Sequence, residues 1–333
     1  MAAQATPGEA PDDLDPDIRL FRQRLADGYA AHPPLDSVGI AQARAIAEAV
    51  RAPLARGGPG MAHSRDLMLA LPGAAPLRLR VHRPEQAAAL PALAYLHGGG
   101  WVYFSVDTHD RLLREYAARA GRVVIGIDYA RAPEARFPVA LEQTVAVLRW
   151  LHEHPAEAGI DLSRIVVGGD SAGANLALAA AAVLRDAGEP AALQGLLLNY
   201  GVYGDDDDSE SFQRYDGPNY TLGRDEMRGF WRQYLRDAAD RHDPRAQPLR
   251  GALGGLPPCL LVVAENDVLR DSSLQLAARL RDAGGAVTLR RYVGATHSFL
   301  EAVSFAAISQ RALAESCAWL RALPQIGRAG GEE

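Results

Sequence analysis

A chain of 333 residues, 48% hydrophobic and 23% charged, has the composition of a globular protein with a sizeable core. Its formal net charge of −6 argues against nucleic acid or an anionic membrane as a partner. Two cysteines, Cys259 and Cys317, make no disulfide framework and predict a reducing compartment. The N-terminus lacks the features of a signal peptide and no apolar run is long enough to span a bilayer. We therefore expect a cytoplasmic protein. Both a monomer and a homodimer are compatible with these features.

The N-terminal region divides into a polar tail and a helical segment. Residues 1–15 are rich in Pro, Asp, Gly and Ala and are predicted to be disordered. From 16 to about 50 the pattern is helical, with Ile40, Ala43 and Ala47 at helical spacing. A Gly- and Pro-rich break, RGGPG, ends this segment. Residues 16–333 are predicted to form a single domain.

Strand and helix patterns alternate through the rest of the chain. RDLMLAL and LRLRVHRP, joined by PGAAP, predict a β-hairpin. Six apolar strands follow, each leading towards a helical or glycine-rich segment: 92–98, 123–129, 164–170, 193–200, 258–265 and 287–294. A final helix is predicted from about Ser304 to Leu320. Such alternation predicts an α/β fold, in which a mostly parallel sheet is covered by helices on both faces and the hairpin forms an antiparallel edge.

One segment interrupts this alternation. Residues 201–249 lie between two predicted strands and are too many for a simple crossover. We interpret them as an insertion above the carboxyl ends of the strands. Together with residues from about 16 to 60, they are predicted to form a cap.

A serine stands where one predicted strand meets a helix, in RIVVGGDSAGANLALAA. Residues 169–173 fit G-x-S-x-G, and the strand and helix on either side are the context that a nucleophile elbow requires. The flanking glycines allow a strained turn that presents the Ser171 hydroxyl above the sheet. Because a serine can also simply cap a helix in a glycine-rich turn, the motif alone is weak. In this context it predicts that Ser171 is a nucleophile.

A nucleophilic serine needs a histidine base, oriented in turn by an acid. Only His242 and His297 follow Ser171 in the sequence. His242 lies in the inserted segment and is predicted to be a solvated loop residue. His297 lies in GATHSF, a loop after a predicted strand, and is our candidate base.

The acid is expected after the strand PCLLVVAE, where ENDVLRD holds three carboxylates. Glu265 is still at the strand end, and Asp271 resembles the N-cap of the next helix. Asp267 lies on the loop between them and is our choice. All three could instead be ordinary loop and cap residues, so the choice depends on position alone.

A glycine-rich loop, HGGG, follows the strand at 92–98. Its bare backbone N–H groups, together with that of Ala172 after the serine, can bind an oxyanion. No phosphate-binding glycine motif is present. Nor do His, Cys and acidic residues have metal-ligand spacing, and the run Asp205–Asp208 is more typical of a solvated loop than of a Ca²⁺ site. We expect no metal and no cofactor.

Four motifs in order, HGGGW, DYARAPEARFPVALEQ, GDSAG, and NDVLRD with THSF, resemble the hormone-sensitive-lipase-like family of α/β-hydrolases, and bacterial acetyl esterases in particular. The similarity extends over roughly residues 60–320. It implies an α/β-hydrolase fold and hydrolysis of small-molecule esters through an acyl-enzyme. The resemblance implies these roles: nucleophile Ser171, acid Asp267, base His297, oxyanion donors Gly99, Gly100 and Ala172, and loop support from His97 and Gly98. NDVL departs from the family's usual Asp-Pro, a difference that concerns the geometry of the loop and leaves the acid itself in place.

Substrate choice is harder to predict from the sequence. Trp101, Tyr103 and Phe104 follow the oxyanion loop, and Tyr200 and Tyr203 follow the strand leading into the insertion. We expect these aromatic residues, Trp101, Tyr200 and Tyr203 in particular, to shape a short acyl slot for acetyl to butyryl esters. Each of them could instead be a core residue. An amidase, peptidase or deacetylase would use the same triad. A non-catalytic receptor of the same fold would be expected to lose the histidine, which His297 argues against.

Overall fold

The computed structural model describes residues 13–71, 75–87, 89–189 and 193–324. These residues form one eight-stranded sheet with helices on both faces. The strands are, in chain order, β1 His63–Leu69, β2 Leu77–Arg83, β3 Leu90–Leu96, β4 Val123–Ile127, β5 Ile160–Asp170, β6 Gly195–Asn199, β7 Cys259–Asn266 and β8 Val287–Thr296. The helices are α1 Pro16–Ala30, α2 Ile40–Ala55, α3 Asp110–Ala120, α4 Val139–Glu153, α5 Pro155–Ala158, α6 Ala172–Asp186, α7 Glu210–Tyr215, α8 Arg224–Tyr234, α9 Arg270–Asp282 and α10 Ala307–Ala322.

The strand order across the sheet is β1-β2-β4-β3-β5-β6-β7-β8. The hairpin β1–β2 is antiparallel and its second strand also pairs antiparallel with β4, whereas all other neighbouring strands are parallel. The predicted α/β-hydrolase fold, with a mostly parallel sheet and an antiparallel edge, is confirmed.

Side chains of the central strands are buried on both faces of the sheet, which explains their nearly continuous apolar sequences. In β3, Ala94 and Leu96 belong to the core shared with α4, α6 and α9. Their neighbours Leu93 and Tyr95 belong to the core shared with α1, α3 and α10. Because successive strand residues point to opposite faces, this alternation places β3 between two layers of helices.

The ends of the chain differ in detail from the sequence-based expectations. Most of the tail predicted to be disordered, residues 1–12, lies outside the described residues. The Asp15 side chain accepts a hydrogen bond from the backbone N–H of Asp17 at 2.9 Å and so caps α1. At the other end, Phe299–Ser304 form a 3₁₀ helix before α10 begins, so the last helix starts later than predicted.

Parallel strands bring several loops to one edge of the sheet. The carboxyl ends of β3, β5, β7 and β8 meet there, and ligand sites of open α/β sheets lie at this edge. The inserted residues 201–249 contribute α7 and α8. No helix within the described part of the chain is both long and apolar enough to cross a membrane.

Candidate active site

The turn between β5 and α6 holds Ser171 in a conformation that non-glycine residues rarely adopt. Its φ is 55° and its ψ is −119°. The backbone N–H of Ser171 donates to the carbonyl of Asn199 at 2.9 Å, which ties the turn to the neighbouring strand β6. A strained residue held by its surroundings is typical of functional positions, and a strand–turn–helix serine is the arrangement of a nucleophile elbow.

Close contact between α6 and β3 makes this turn possible. A Cβ atom on Gly173 would lie 2.0 Å from the carbonyl oxygen of Leu96, a distance that no side chain can accommodate. The first turn of α6 therefore packs directly on the end of β3. Glycine at this position brings the nucleophile turn beside the loop that follows β3.

Ser171 and two residues from distant loops form a continuous hydrogen-bonded chain. The Nε2 atom of His297 lies 2.9 Å from Ser171 Oγ, and its Nδ1 atom lies 2.7 Å from Asp267 Oδ2. A carboxylate only accepts, so Nδ1 carries the proton and Nε2 is free to accept the serine proton. The other oxygen of Asp267 accepts from the backbone N–H of Leu269 at 2.9 Å, which fixes the carboxylate.

The electrostatic environment of His297 favours its charged form. Burial alone would lower the pKa of this imidazole, but the Asp267 carboxylate, followed by the more remote Asp170 and Glu301, raises the pKa above its ordinary value. The site therefore stabilises an imidazolium at this position, which is the form that the base takes after accepting a proton.

The two other candidate acids, Glu265 and Asp271, bind partners other than His297. Glu265 is near the end of β7 and forms a bidentate ion pair with Arg291. Asp271 accepts from the backbone N–H of Ser211 at 2.8 Å and so links α9 to α7. The expectation that Asp271 caps α9 was wrong, because this helix begins at Arg270 and its N-cap is Leu269. Neither carboxylate is hydrogen-bonded to the histidine.

The inserted segment holds the other histidine and the aspartate run. His242 is exposed at the end of a short 3₁₀ turn, Ala239–His242. Arginines meet the aspartates: Arg241 and Arg250 pair with Asp205, Arg228 with Asp207, and Arg224 with Asp208. In the described ranges no group of three or more His, Cys, Asp or Glu residues is arranged to hold a metal ion.

The HGGG loop follows β3 and lies beside the serine. Its glycines Gly99 and Gly100 have φ angles of 109° and 61°. Among the described residues, the N–H groups of Gly99, Gly100 and Ala172 have no hydrogen-bond acceptor. Ala172 is the first residue of α6, so its N–H points out of the helix end, where the helix dipole favours negative charge. The HGGG loop and the first turn of α6 thus present three donors without acceptors near Ser171, which lines the same cavity as Gly99 and Gly100.

His97 and Gly98 lie behind this loop. The ring of His97 stacks on Tyr129 with centroids 4.3 Å apart, and its Nδ1 donates to the carbonyl of Gly98 at 2.7 Å. The hydroxyl of Tyr129 donates to the carbonyl of His97 at 2.8 Å. Burial lowers the pKa of His97 to about 4, so this ring is neutral. These contacts hold the backbone of the loop in place.

A cavity of about 790 Å³ opens in front of Ser171 and His297. Gly99 and Gly100 form one side of it. Most of its other lining residues come from two segments that are far apart in the sequence. The first contributes Tyr29, Ile40 and Arg51, and the second contributes Leu222, Phe230 and Gln233.

Three of the five aromatic residues expected to shape the acyl slot, Trp101, Tyr200 and Tyr203, do not line this cavity. Trp101 is fully buried and stacks on Tyr234, with centroids 4.2 Å apart. Tyr203 is fully buried in the core beneath α6. Tyr200 packs edge-on against the ring of His297 from the core side. Trp101 and Tyr200 have positive φ angles, 61° and 35°, which the sequence does not reveal and which change the direction of their side chains.

The other two candidates do line the cavity, and a further aromatic residue lies beside them. Tyr103 and Phe104, which follow Trp101 in the sequence, line the cavity, as does Phe230 from α8. The ring of Phe230 lies edge-on to Tyr103, with centroids 5.9 Å apart, and covers Gly100 so closely that a Cβ there would lie 2.4 Å from it. No sequence signal singled out Phe230, because its role depends on how α8 is placed over the sheet.

Comparison with known proteins identifies the fold family. The sequence matches the alpha/beta hydrolase fold family over residues 93–301. It is 36% identical over 293 residues to an ethyl acetate hydrolase of Pseudomonas putida, covering 86% of this chain and 92% of that protein. It is 37% identical over 245 residues to an acetyl esterase of Salmonella choleraesuis, covering 73% of this chain and 75% of that protein.

A solved structure resembles the whole described architecture. A hyperthermophilic esterase from the archaeon Pyrobaculum calidifontis superposes with a TM-score of 0.86 at 32% identity, covering 92% of this chain and 98% of that chain. Sequence, fold and site geometry thus point to one group of proteins. The chain belongs to the α/β-hydrolase fold family, and its predicted resemblance to the hormone-sensitive-lipase-like branch is confirmed.

Proposed function

We propose that this protein hydrolyses short-chain acyl esters through an acyl-enzyme formed on Ser171. The broader statement, that it is a carboxylic ester hydrolase, is supported by its relatives. The observation that carries the proposal is the hydrogen-bonded chain from Ser171 through His297 to Asp267, which opens onto a cavity beside free backbone donors.

Acylation follows from the positions of these groups. Ser171 Oγ attacks the ester carbonyl while His297 Nε2 accepts the hydroxyl proton, and the Asp267 carboxylate stabilises the resulting imidazolium. The carbonyl oxygen becomes negatively charged, and the N–H groups of Gly99, Gly100 and Ala172 are the donors available to it. The imidazolium then gives its proton to the departing alcohol, leaving an acyl group on Ser171.

Deacylation uses the same groups in the opposite sense. A water molecule loses a proton to His297 Nε2 and attacks the acyl carbonyl, and the second oxyanion meets the same donors. The proton returns to Ser171 Oγ as the carboxylic acid leaves. No step requires a group from outside the chain apart from water.

The short-acyl preference is supported by two observations. The relatives include proteins named as an ethyl acetate hydrolase and acetyl esterases. In addition, the ring of Phe230 covers Gly100 and limits the space beside the oxyanion loop. We propose that Phe230, rather than Trp101, Tyr200 or Tyr203, limits the length of the acyl chain.

The two segments that wall the cavity are proposed to act as its cap. Residues from about 16 to 60 provide α1 and α2, and residues 201–249 provide α7 and α8. Arg51 of α2 pairs with Glu301 at 2.8 Å, close to the histidine loop, so the first segment is anchored to the domain by a buried ion pair. We propose that cap and sheet form a single domain.

Changing the triad tests the mechanism. Ser171→Ala, His297→Asn and Asp267→Asn should each lower kcat for p-nitrophenyl acetate by roughly 10⁴-fold or more, because the three groups act as a unit. Matched changes at residues outside the chain of hydrogen bonds, His242→Asn and Glu265→Gln, should leave kcat within about twofold. Circular dichroism would show that each variant is folded. Loss of activity in the controls but not in the triad variants would contradict the assignment, and a parallel panel of matched amides would separate esterase from amidase activity.

The pH dependence of the reaction should reflect the raised pKa of His297. The base must be neutral to accept a proton, so kcat/KM should fall as pH decreases through the pKa of His297 in the free enzyme, which is raised above the ordinary histidine value. Asp267→Asn removes the main source of the raised pKa and should move this acid limb to lower pH. Measurement of kcat/KM from about pH 5 to 9 tests this, and an unchanged limb in Asp267→Asn would contradict it.

Acyl-chain length tests the role of Phe230. For the unaltered protein, kcat/KM should be highest for p-nitrophenyl esters in the range from acetyl to butyryl. It should fall for longer acyl chains, because overfilling a tight site is unfavourable. In Phe230→Ala the optimum should shift to longer chains, with a gain of roughly fourfold for each newly accommodated methylene. Arg228→Ala changes the outer face of the same helix and should keep the original preference. An optimum at ten carbons in the unaltered protein would overturn the short-acyl proposal.

A further inference from the structure

A second buried carboxylate lies directly beside the nucleophile. Asp170 is the last residue of β5 and immediately precedes Ser171, yet only 1% of its surface is exposed. It takes no part in the proton transfers described above. A buried carboxylate without compensation is strongly unfavourable, so its partners must explain its presence.

The partners of Asp170 come from three different parts of the fold. Tyr95 of β3 donates its hydroxyl to Oδ1 at 3.0 Å. His109, which precedes α3, places Nε2 at 3.2 Å from Oδ1 and 3.3 Å from Oδ2. A Cβ on Gly98 would lie 2.4 Å from Oδ2, so the backbone of the HGGG loop rests directly on the carboxylate. Asp170 is therefore one point at which the oxyanion loop contacts the nucleophile turn.

The hydrogen bonds around His109 determine its protonation. The carbonyl of Ser105 can only accept, so the Thr108 hydroxyl donates its proton to that carbonyl, at 2.8 Å. The same hydroxyl oxygen lies 2.9 Å from His109 Nδ1, and the interaction is satisfied only if Nδ1 donates. Nε2 lies 3.4 Å from the backbone nitrogen of Gly98 and closer to the two carboxylate oxygens of Asp170, at 3.2 and 3.3 Å. A carboxylate can only accept, so Nε2 donates to Asp170. A ring that donates from both nitrogens is an imidazolium.

The charges around the pair agree with this geometry. Burial alone would lower the pKa of His109, but Asp170, followed by Glu301 and the backbone of Ser105, acts in the opposite sense and the net shift is upward. Burial alone would raise the pKa of Asp170, but His109 brings it below its ordinary value. Of the other groups facing His109, Glu301 is paired with Arg51 and His97 is neutral.

We propose that His109 is a positioning residue: as an imidazolium it forms a buried ion pair with Asp170 that holds the oxyanion loop against the nucleophile turn. This inference rests on the proposed acyl transfer at Ser171. The pair belongs to a larger network, because Asn199 donates its amide to the Tyr95 hydroxyl at 3.2 Å and accepts the Ser171 N–H with its carbonyl. Displacing the loop would separate Gly98 from the carboxylate and expose the pair.

The effect on catalysis should appear in kcat rather than in KM. The oxyanion donors Gly99 and Gly100 directly follow the glycine that rests on Asp170. These donors act mainly on charge that develops in the transition state, so a small displacement of the loop removes stabilisation from the transition state rather than from the bound ester.

The protonation of His109 can be measured directly. In the unaltered protein with ¹⁵N-labelled histidine, long-range ¹H–¹⁵N spectra distinguish an imidazolium from either neutral tautomer. The His109 signal, assigned by its loss in His109→Gln or, if that variant does not fold, in His109→Asn, should remain that of an imidazolium at about pH 7.5, roughly one unit above the ordinary histidine value. A neutral tautomer at that pH would overturn the proposal. This measurement uses no substrate, so its result is independent of whether the proposed esterase function is correct.

A double-mutant cycle tests the positioning role. His109→Gln and Asp170→Asn should each lower kcat about tenfold or more with little change in KM, since each leaves one partner buried and unpaired. The double variant carries no buried charge at the pair and should lose less than the product of the two single effects. His152→Gln, an exposed histidine on α4, should retain the original kcat. Unchanged kcat in His109→Gln, or single effects that simply multiply, would overturn the proposal.

Discussion

Contact between the first turn of α6 and the end of β3 is the constraint on which the site depends. Because the backbone of Gly173 lies against the carbonyl of Leu96, the helix can begin one residue after the strained Ser171. The same contact brings the HGGG loop, which continues β3, beside the serine. A side chain at Gly173 would separate helix and strand, and with them the nucleophile and its oxyanion donors. The positions of Ser171 and of the HGGG loop thus depend on this close packing of one backbone segment on another.

Two buried Asp–His pairs flank the nucleophile, and their environments give them different roles. Asp267 pairs with His297, whose second nitrogen is directed at Ser171 and, in the proposed mechanism, exchanges its proton with that serine. Asp170 pairs with His109, whose second nitrogen is directed at Thr108 and has no reacting partner. The partner of the second ring nitrogen therefore distinguishes the two histidines: His297 is proposed to carry a proton, and His109 is proposed to keep a fixed charge.

Much of the architecture follows from sequence pattern alone. Buried strands alternating with helices predict the parallel sheet, and the loops at its carboxyl edge indicate where Ser171, Asp267 and His297 should lie. The walls of the cavity could not be predicted, because they depend on how cap helices pack on the sheet and on backbone angles. Trp101 illustrates the difficulty: one positive φ turns its ring into the core, while its neighbour Tyr103 faces the cavity. The pairing of Asp170 with His109 was also missed, since 61 residues separate the partners.

The central claim is that Ser171 Oγ forms a covalent bond with the substrate's acyl group. Diethyl p-nitrophenyl phosphate imitates that step: the serine oxygen bonds to phosphorus and p-nitrophenolate leaves, but the product is not readily hydrolysed. Peptide mass spectrometry after treatment should find a single diethylphosphoryl group, located on Ser171, with loss of esterase activity in proportion to labelling. Full esterase activity in a protein that carries no label on Ser171 after prolonged treatment would contradict the account.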